Sequence, residues 1–380
     1  MIPFNKPFLV GSETKYIEQA VNSGKISGNG GFTKKCQEFF ETEYKFKKAL
    51  LTTSCTDALE MAAILLNIQS GDEVIVPSYT FVSSALAFVR QGAKIVFADS
   101  NEEHPGIDEK SVENLITDKT IAIVIVHYAG VSCDMDIIMD VASRKNIYVV
   151  EDAAQAIDSY FNGKPLGSIG DLGAFSFHET KNIIAGEGGL LSINNIKFID
   201  RAEVIWEKGT NRSAFFKGEV DKYGWVDTGS SFLPSELIAA FLYAQLEKIN
   251  LIQDKRKELW NVYNIGLEPV FRNGNLKRPF LPGFATNNAH MYYVLANSPK
   301  ERELLIAFLK KNNVHAVFHY ISLHKSSFYL ETLKGNKKLD LPQADKYTSR
   351  LIRLPLFFEL KIVEVEKIIS LIIDFFDARN

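Results

Sequence analysis

Ile147-Tyr-Val-Val-Glu-Asp152-Ala-Ala-Gln155 is a β-branched and aromatic run closing on adjacent acids. Downstream, Ala174-Phe-Ser-Phe-His-Glu-Thr-Lys181 places a lysine shortly before Gly186-Glu-Gly-Gly189. The first run reads as a strand over 147–151, and 173–177 and 189–193 read as two more. Working outward, 48–53, 73–76, 93–98 and 121–127 have the same character, with helical spacing between them at 58–66, 81–90 and 137–144. The run Ile121-Ala-Ile-Val-Ile-Val126 is apolar on both faces. Strands of that kind belong in a mostly parallel sheet covered by helices on both sides, so the fold class is α/β.

The 380 residues carry a net charge of -3 and are 46% hydrophobic. That balance gives no basic surface for nucleic acid or an anionic membrane. The length suits roughly two domains. A large domain is expected over 1–250, and a smaller α+β domain, richer in charge, over 251–380. Residues 208–231 are rich in Gly, Lys, Asn and Arg with weak periodicity, which marks a functional or interface segment. Residues 234–251 read as one helical segment. The three cysteines, Cys36, Cys55 and Cys133, show no metal-binding spacing and fit a reducing compartment. No signal-length apolar run opens the chain and none is long enough to span a bilayer, so a cytoplasmic protein is expected.

Three strand ends carry candidate chemistry. Thr52-Thr-Ser54-Cys55-Thr56 leads from a strand into Asp57-Ala-Leu-Glu, which puts hydroxyls and backbone N–H groups at a helix N-terminus, an anion seat. A plain N-cap at Ser54 or Thr56 is the bland alternative. Pro77-Ser-Tyr-Thr-Phe81-Val-Ser-Ser84 offers an aromatic to stack on a flat ligand, against simple core packing of Tyr79 and Phe81. Asp152 ends the third strand, and an acid there is expensive to bury unless paired. Its partner could be a pyridinium N–H; an N-cap role is the alternative. Gln155, one helical turn on, would reach the same ligand edge. Ligands of doubly wound sheets gather at such carboxyl ends. An amine from Lys181, a carboxylate, an anion seat and a stacking ring together suit pyridoxal phosphate (PLP).

The ordered set Ser54-Cys-Thr56, Pro77 to Phe81, His127-Tyr-Ala-Gly130, Glu151 to Gln155, Phe175-Ser-Phe-His178, Lys181 and Gly186 to Gly189 resembles the DegT/DnrJ/EryC1/StrS nucleotide-sugar aminotransferases, fold-type I PLP enzymes, over essentially the whole chain. Met1-Ile-Pro-Phe-Asn, His178-Glu-Thr-Lys-Asn182, Lys208-Gly-Thr-Asn-Arg212 with Asp221-Lys-Tyr223, and Val317-Phe-His-Tyr320 are similar to one branch, the dTDP-4-oxo-6-deoxy-D-glucose transaminases. That branch makes dTDP-4-amino-4,6-dideoxygalactose for surface polysaccharides.

The resemblance implies roles. Lys181 would hold the cofactor and shuttle protons, Asp152 would pair with the pyridine nitrogen, and Gln155 would contact the 3-hydroxyl. Phe81 would stack on the ring, and Cys55, Thr56 and Ser176 would hold the phosphate. The family presents an asparagine from a partner subunit to that phosphate within Gly-x-Asn-x-Arg. Here the match is Gly229-Ser-Ser231-Phe-Leu233, so Ser231 takes that place and Leu233 replaces the arginine. A homodimer with shared sites follows from the likeness. L-Glutamate is the implied donor and a nucleotide sugar the implied acceptor. Sugar-nucleotide contacts are expected from 24–31 and from 208–223, the latter reaching from the partner subunit, with Lys208, Arg212, Tyr223, His178 and His319 as candidates and surface charge or a structural histidine as the alternative.

Rival readings stay open: a 3-aminotransferase, a gluco-configured 4-amino product, or a non-catalytic PLP-binding protein. Relatives that act as dehydratases carry histidine where Lys181 stands, so amino transfer is favoured. A nicotinamide oxidoreductase is disfavoured because no Gly-x-Gly-x-x-Gly follows the first strand.

Overall fold

Five parallel strands form the middle of the molecule: β2 (Glu73–Pro77), β3 (Lys94–Ala98), β4 (Thr120–Val126), β5 (Tyr148–Asp152) and β8 (Leu172–Ser176). The computed structural model describes residues 1–379. Together with β1 (Lys48–Thr52) and β9 (Gly189–Ile193) they make a seven-stranded sheet in the order β1-β9-β8-β5-β4-β2-β3. β9 runs antiparallel to both of its neighbours. A small hairpin, β6 (Tyr160–Phe161) and β7 (Lys164–Pro165), lies outside this sheet.

Alternation along the strands divides the apolar side chains between two faces. On β1, Leu50 packs with Ala58, Leu59 and Ala62 of the helix Cys55–Leu65, whereas Ala49 and Leu51 face the core that holds Ile138 and Ala142 of the helix Met135–Lys145. Ala122 to Ile125 on β4 are wholly buried, as a central strand covered on both sides requires. The expected α/β architecture is therefore present.

Two local expectations are corrected. Residues 234–251 are not one helix: the first, Glu236–Leu246, is followed by Lys248, whose φ of -116° and ψ of 16° lie outside the helical region, and Ile249–Gly266 starts anew. After Asp152 the chain forms turns rather than a helix, with Ala156 N–H donating to Ala153 O at 2.9 Å and Ser159 N–H to Ala156 O at 3.1 Å, three residues back rather than four.

Beyond residue 266, β10 (Leu276–Lys277), β11 (Tyr292–Ala296) and β12 (Leu351–Leu354) form an antiparallel sheet backed by the helices Ile249–Gly266, Pro299–Lys311 and Ile362–Asp377. Ile2 joins the same core, and its backbone bridges to Val314. Among the described residues no helix is long and apolar enough to cross a membrane.

Candidate active site

The carboxyl end of β1 turns directly into the helix Cys55–Leu65. Ser54 caps it in an extended conformation, its Oγ accepting from Asp57 N–H at 3.1 Å. The N–H groups of Cys55 and Thr56 then have no acceptor within the helix and point outward at its positive end. Gly189 closes the turn from behind: a Cβ there would come within 2.3 Å of Ser54 C and 2.5 Å of Cys55 N. Only glycine lets β9 begin this close to the turn.

Asp152 and Glu151 point to opposite faces of β5, as strand alternation demands. Asp152 Oδ2 accepts from Ser84 Oγ at 2.6 Å and Oδ1 from Ala154 N–H at 3.2 Å. Burial raises its pKa above the ordinary carboxylate value, while Ser84, Ala154 N–H and the nearby Lys181 pull it back. Glu151 is wholly buried on the other side. It accepts from Gly167 N–H at 2.7 Å, Ile169 N–H at 2.7 Å, Gly170 N–H at 2.6 Å and His127 Nε2 at 2.8 Å. Those donors hold the 167–170 turn and the end of β4 against β5, which fixes Asp152 from behind.

Lys181 lies in the same cavity, in the segment after β8. Burial lowers its pKa, opposed by Cys55 and Asp152 and assisted by Arg353. A desolvated amine of this kind is readily deprotonated and nucleophilic.

The cavity measures about 740 Å³. Its lining brings together Ser54, Cys55, Thr56, Asp152, Ser176 and Lys181. Phe81, Gln155, His178 and His319 line it as well. The two aromatics left open by the sequence separate here: Tyr79 is 1% exposed in the core, while Phe81 is 55% exposed in the cavity. Gln155 is tied at both ends of its amide, with Oε1 accepting from Ala129 N–H at 2.7 Å and Nε2 donating to Tyr320 OH at 3.0 Å. His319 Nδ1 shares a proton with Tyr128 OH at 2.7 Å, and burial lowers its pKa well below the usual histidine range. His178 Nδ1 lies 2.9 Å from Thr180 Oγ1. His324 lies elsewhere, 2% exposed and bonded to Ser78 Oγ at 2.7 Å.

The residues fit PLP. An exposed ring, an anion seat, a buried carboxylate and a desolvated amine converge on one space of suitable size.

Four candidates do not line this cavity within one chain. Lys208 and Arg212 line a second cavity of about 650 Å³, together with Lys25, Asn29 and Lys34 of the N-terminal segment. Tyr223 is 54% exposed on the surface, and Ser231 is exposed on a bridge to Glu207. Within one chain these four residues lie apart from Lys181. The 208–231 segment continues from the helix Ile199–Trp206 and is pinned there by Gly209 N–H to Val204 O at 2.9 Å and Arg201 Nε to Asp227 at 2.7 Å. Glu236 holds the 24–31 segment beside it, accepting from Gly30 N–H at 2.9 Å and Phe32 N–H at 2.7 Å.

Sequence reasoning did not single out Ser84, nor His290 and Arg353, which also line the cavity. Ser84 stood inside a quoted motif, but its partner is distant in sequence. Arg353 left a signal in Leu351-Ile-Arg-Leu354, a lone charge inside an apolar strand.

Comparison with known proteins gives a consistent picture. The model of the DegT/DnrJ/EryC1/StrS aminotransferase family matches residues 8–373. The chain is 33% identical to the uncharacterized protein MJ1066 of Methanocaldococcus jannaschii, covering 94% of this chain and 92% of that one. It is 30% identical to the GDP-perosamine synthase of Escherichia coli O157:H7, covering 100% and 99%. Its structure superposes on the PMP-form of the putative sugar aminotransferase Spr1654 from Streptococcus pneumoniae with a TM-score of 0.90, at 26% identity and 98% coverage of each chain.

Proposed function

The chain belongs to the DegT/DnrJ/EryC1/StrS aminotransferase family and is a PLP-dependent sugar aminotransferase, and from that premise we propose that it moves the amino group of L-glutamate to the C4 keto carbon of dTDP-4-oxo-6-deoxy-D-glucose. The product is dTDP-4-amino-4,6-dideoxy-D-galactose, destined for surface polysaccharide. The observation that carries the reading is the convergence of Lys181, Asp152, Phe81 and the Ser54–Thr56 turn on one cavity.

Bound PLP supplies an electron sink that acidifies the donor's α-carbon and carries the amino group to the acceptor. The chain's own residues do the rest. Lys181 would hold the cofactor through Nζ and would take up and return a proton at the donor's α-carbon, a role its lowered pKa supports. Asp152 would keep a proton on the pyridine nitrogen, and Ser84 and Ala154 N–H fix its carboxylate. Cys55, Thr56 and Ser176, which line the cavity, would receive the phosphate, and Phe81 would pack on the ring. Gln155 orients the 3-hydroxyl edge, braced by Ala129 and Tyr320.

Lys25, Lys34, Lys208 and Arg212 around the second cavity suit the diphosphate of a nucleotide sugar. Exposed Phe216 there offers a face for the base. In a homodimer of cytoplasmic enzyme, the 208–231 segment of one subunit, with Ser231, completes the site of the other. The dTDP assignment rests on the branch-like motifs. The 30% identity to a GDP-perosamine synthase over the whole chain favours a second reading, a GDP-linked 4-keto sugar as acceptor.

The test is incubation with PLP, L-glutamate and either dTDP-4-oxo-6-deoxyglucose or its GDP-mannose-derived counterpart, with NMR of the product. An axial 4-amino dTDP sugar supports the first reading. An equatorial amine moves the enzyme to a sister activity, and turnover of the GDP sugar alone supports the second reading.

A further inference from the structure

Arg353 reaches the Lys181 cavity from β12. Its strand neighbours Ile352 and Leu354 are buried in the small sheet's core, so alternation turns Arg353 to the opposite side. Its backbone is fixed twice, paired to Tyr293 on β11 and bonded to Val317 on the other edge, N–H to Val317 O at 2.8 Å. The guanidinium donates only to Phe318 O, from Nε at 3.3 Å and Nη2 at 3.2 Å, and stacks 4.6 Å from the Phe4 ring. Among the described residues Nη1 has no acceptor in the protein, and no carboxylate forms an ion pair with the group. The side chain is thus a positioned planar cation with one edge facing the cavity. Partly burying a charge without a counter-ion is costly, and a fork of this geometry matches a carboxylate.

Three anions enter a site of this kind. The cofactor phosphate has the Ser54–Thr56 turn. The nucleotide diphosphate has Lys25, Lys34, Lys208 and Arg212, which line a different cavity. Within one chain the cavity lining holds no other lysine or arginine for the donor's carboxylates except Lys181, whose amine is needed for the chemistry and is pushed toward neutrality by burial. We propose that Arg353 binds a carboxylate of the amino donor and so makes the site selective for an acidic amino acid or its 2-oxo acid. This rests on the reading that L-glutamate is the donor.

The experiment uses PLP-loaded enzyme mixed rapidly with L-glutamate alone, following the loss of the bound cofactor's absorption. No nucleotide sugar is present, so the identity of the acceptor does not enter. Arg353→Gln should raise the half-saturating L-glutamate concentration about 10- to 100-fold, as expected for losing charge-assisted hydrogen bonds, with a smaller change in the limiting rate. Arg353→Lys, which keeps the charge and loses the fork, should fall between. Both variants should retain the wild-type absorption spectrum before mixing. Unchanged saturation by L-glutamate in Arg353→Gln overturns the proposal, as does a shift confined to the limiting rate. If wild-type enzyme ignores L-glutamate and reacts with another amino acid, the donor reading fails; the same comparison with that amino acid then decides the role of Arg353.

Discussion

Ser84 Oγ donates to Asp152 Oδ2 at 2.6 Å across 68 residues of sequence, and both side chains are buried. The bond joins the start of the helix Ser83–Val89 to the end of β5, and it opposes the upward pull of burial on Asp152. Hydrogen bonds to charged groups contribute about 1.5–3 kcal/mol. Ser84→Ala should therefore weaken PLP binding roughly tenfold or more. Fluorescence titration of the apo protein with PLP measures this; wild-type affinity in the variant would show that Ser84 does not hold the acid for the cofactor.

In the absence of PLP, Asp152 should leave a pH signature. Its folded pKa is raised by burial above the ordinary 3.8, so the folded chain binds its proton more tightly than the unfolded chain does. The stability it contributes is complete below 3.8 and is lost as pH rises through the raised folded value. Asp152→Asn removes that loss. Above the transition, the melting temperature of apo Asp152→Asn should exceed that of the wild type, while PLP affinity falls. Parallel melting curves from acid to neutral pH would refute the assignment.

Lys181 runs the opposite way. Its lowered pKa means that the unfolded chain binds the proton more tightly, so stability is complete above 10.5 and falls as pH drops through the folded value. Lys181→Met should lift apo stability at neutral pH. The same variant should lose the visible band of lysine-bound PLP and reduce turnover by about 10²-fold or more, the scale of a lost acid–base group.

Gly189 tests the anion seat through its backbone. A methyl at this position meets Ser54 C and Cys55 N well inside contact distance, and neither is a side chain that can swing away. Gly189→Ala should cost about 1–3 kcal/mol of stability and weaken binding of PLP more than that of phosphate-free pyridoxal. Equal weakening of both ligands would place the damage elsewhere than at the phosphate.

Lys181 and Arg212 line separate cavities of one chain. If the partner's 208–231 segment completes each site, mixing Lys181→Ala with Arg212→Ala subunits should restore activity that neither variant has alone, because each hybrid dimer contains one intact site. Failure to complement, with subunit exchange verified, would make each site the work of a single chain.

Much of the site was legible in the sequence because its parts are local. The anion seat is a strand-to-helix turn, and its hydroxyls are adjacent in Ser54-Cys-Thr56. Lys181 and Asp152 sit beside strand runs whose apolar patterns are unambiguous, and strand ends of a doubly wound sheet share one side by topology. Phe81 and Tyr79 were both candidates because two residues apart they share a periodicity. Only the burial of Tyr79 against Tyr128 and Tyr347 separates them.

The sequence by itself determined an α/β sheet, the order of its strands along the chain, the strand-to-helix turn at Ser54–Thr56 and the placing of Lys181 and Asp152 beside strand ends, because these follow from runs a few residues long. Only the tertiary structure decided what faces what. Ser84 meets Asp152 because β2 and β5 both flank β4. Glu151 was set apart from Asp152 by one step of a strand, and its buried amide partners come from a turn 16 to 19 residues away. Arg353 enters the cavity because β12 packs its apolar neighbours inward, a choice that depends on which face the small sheet buries. The 208–231 segment lies apart from Lys181 because it is anchored to the helix Ile199–Trp206. Pairings across long sequence separations depend on how packed faces close, and no local pattern of residues records that.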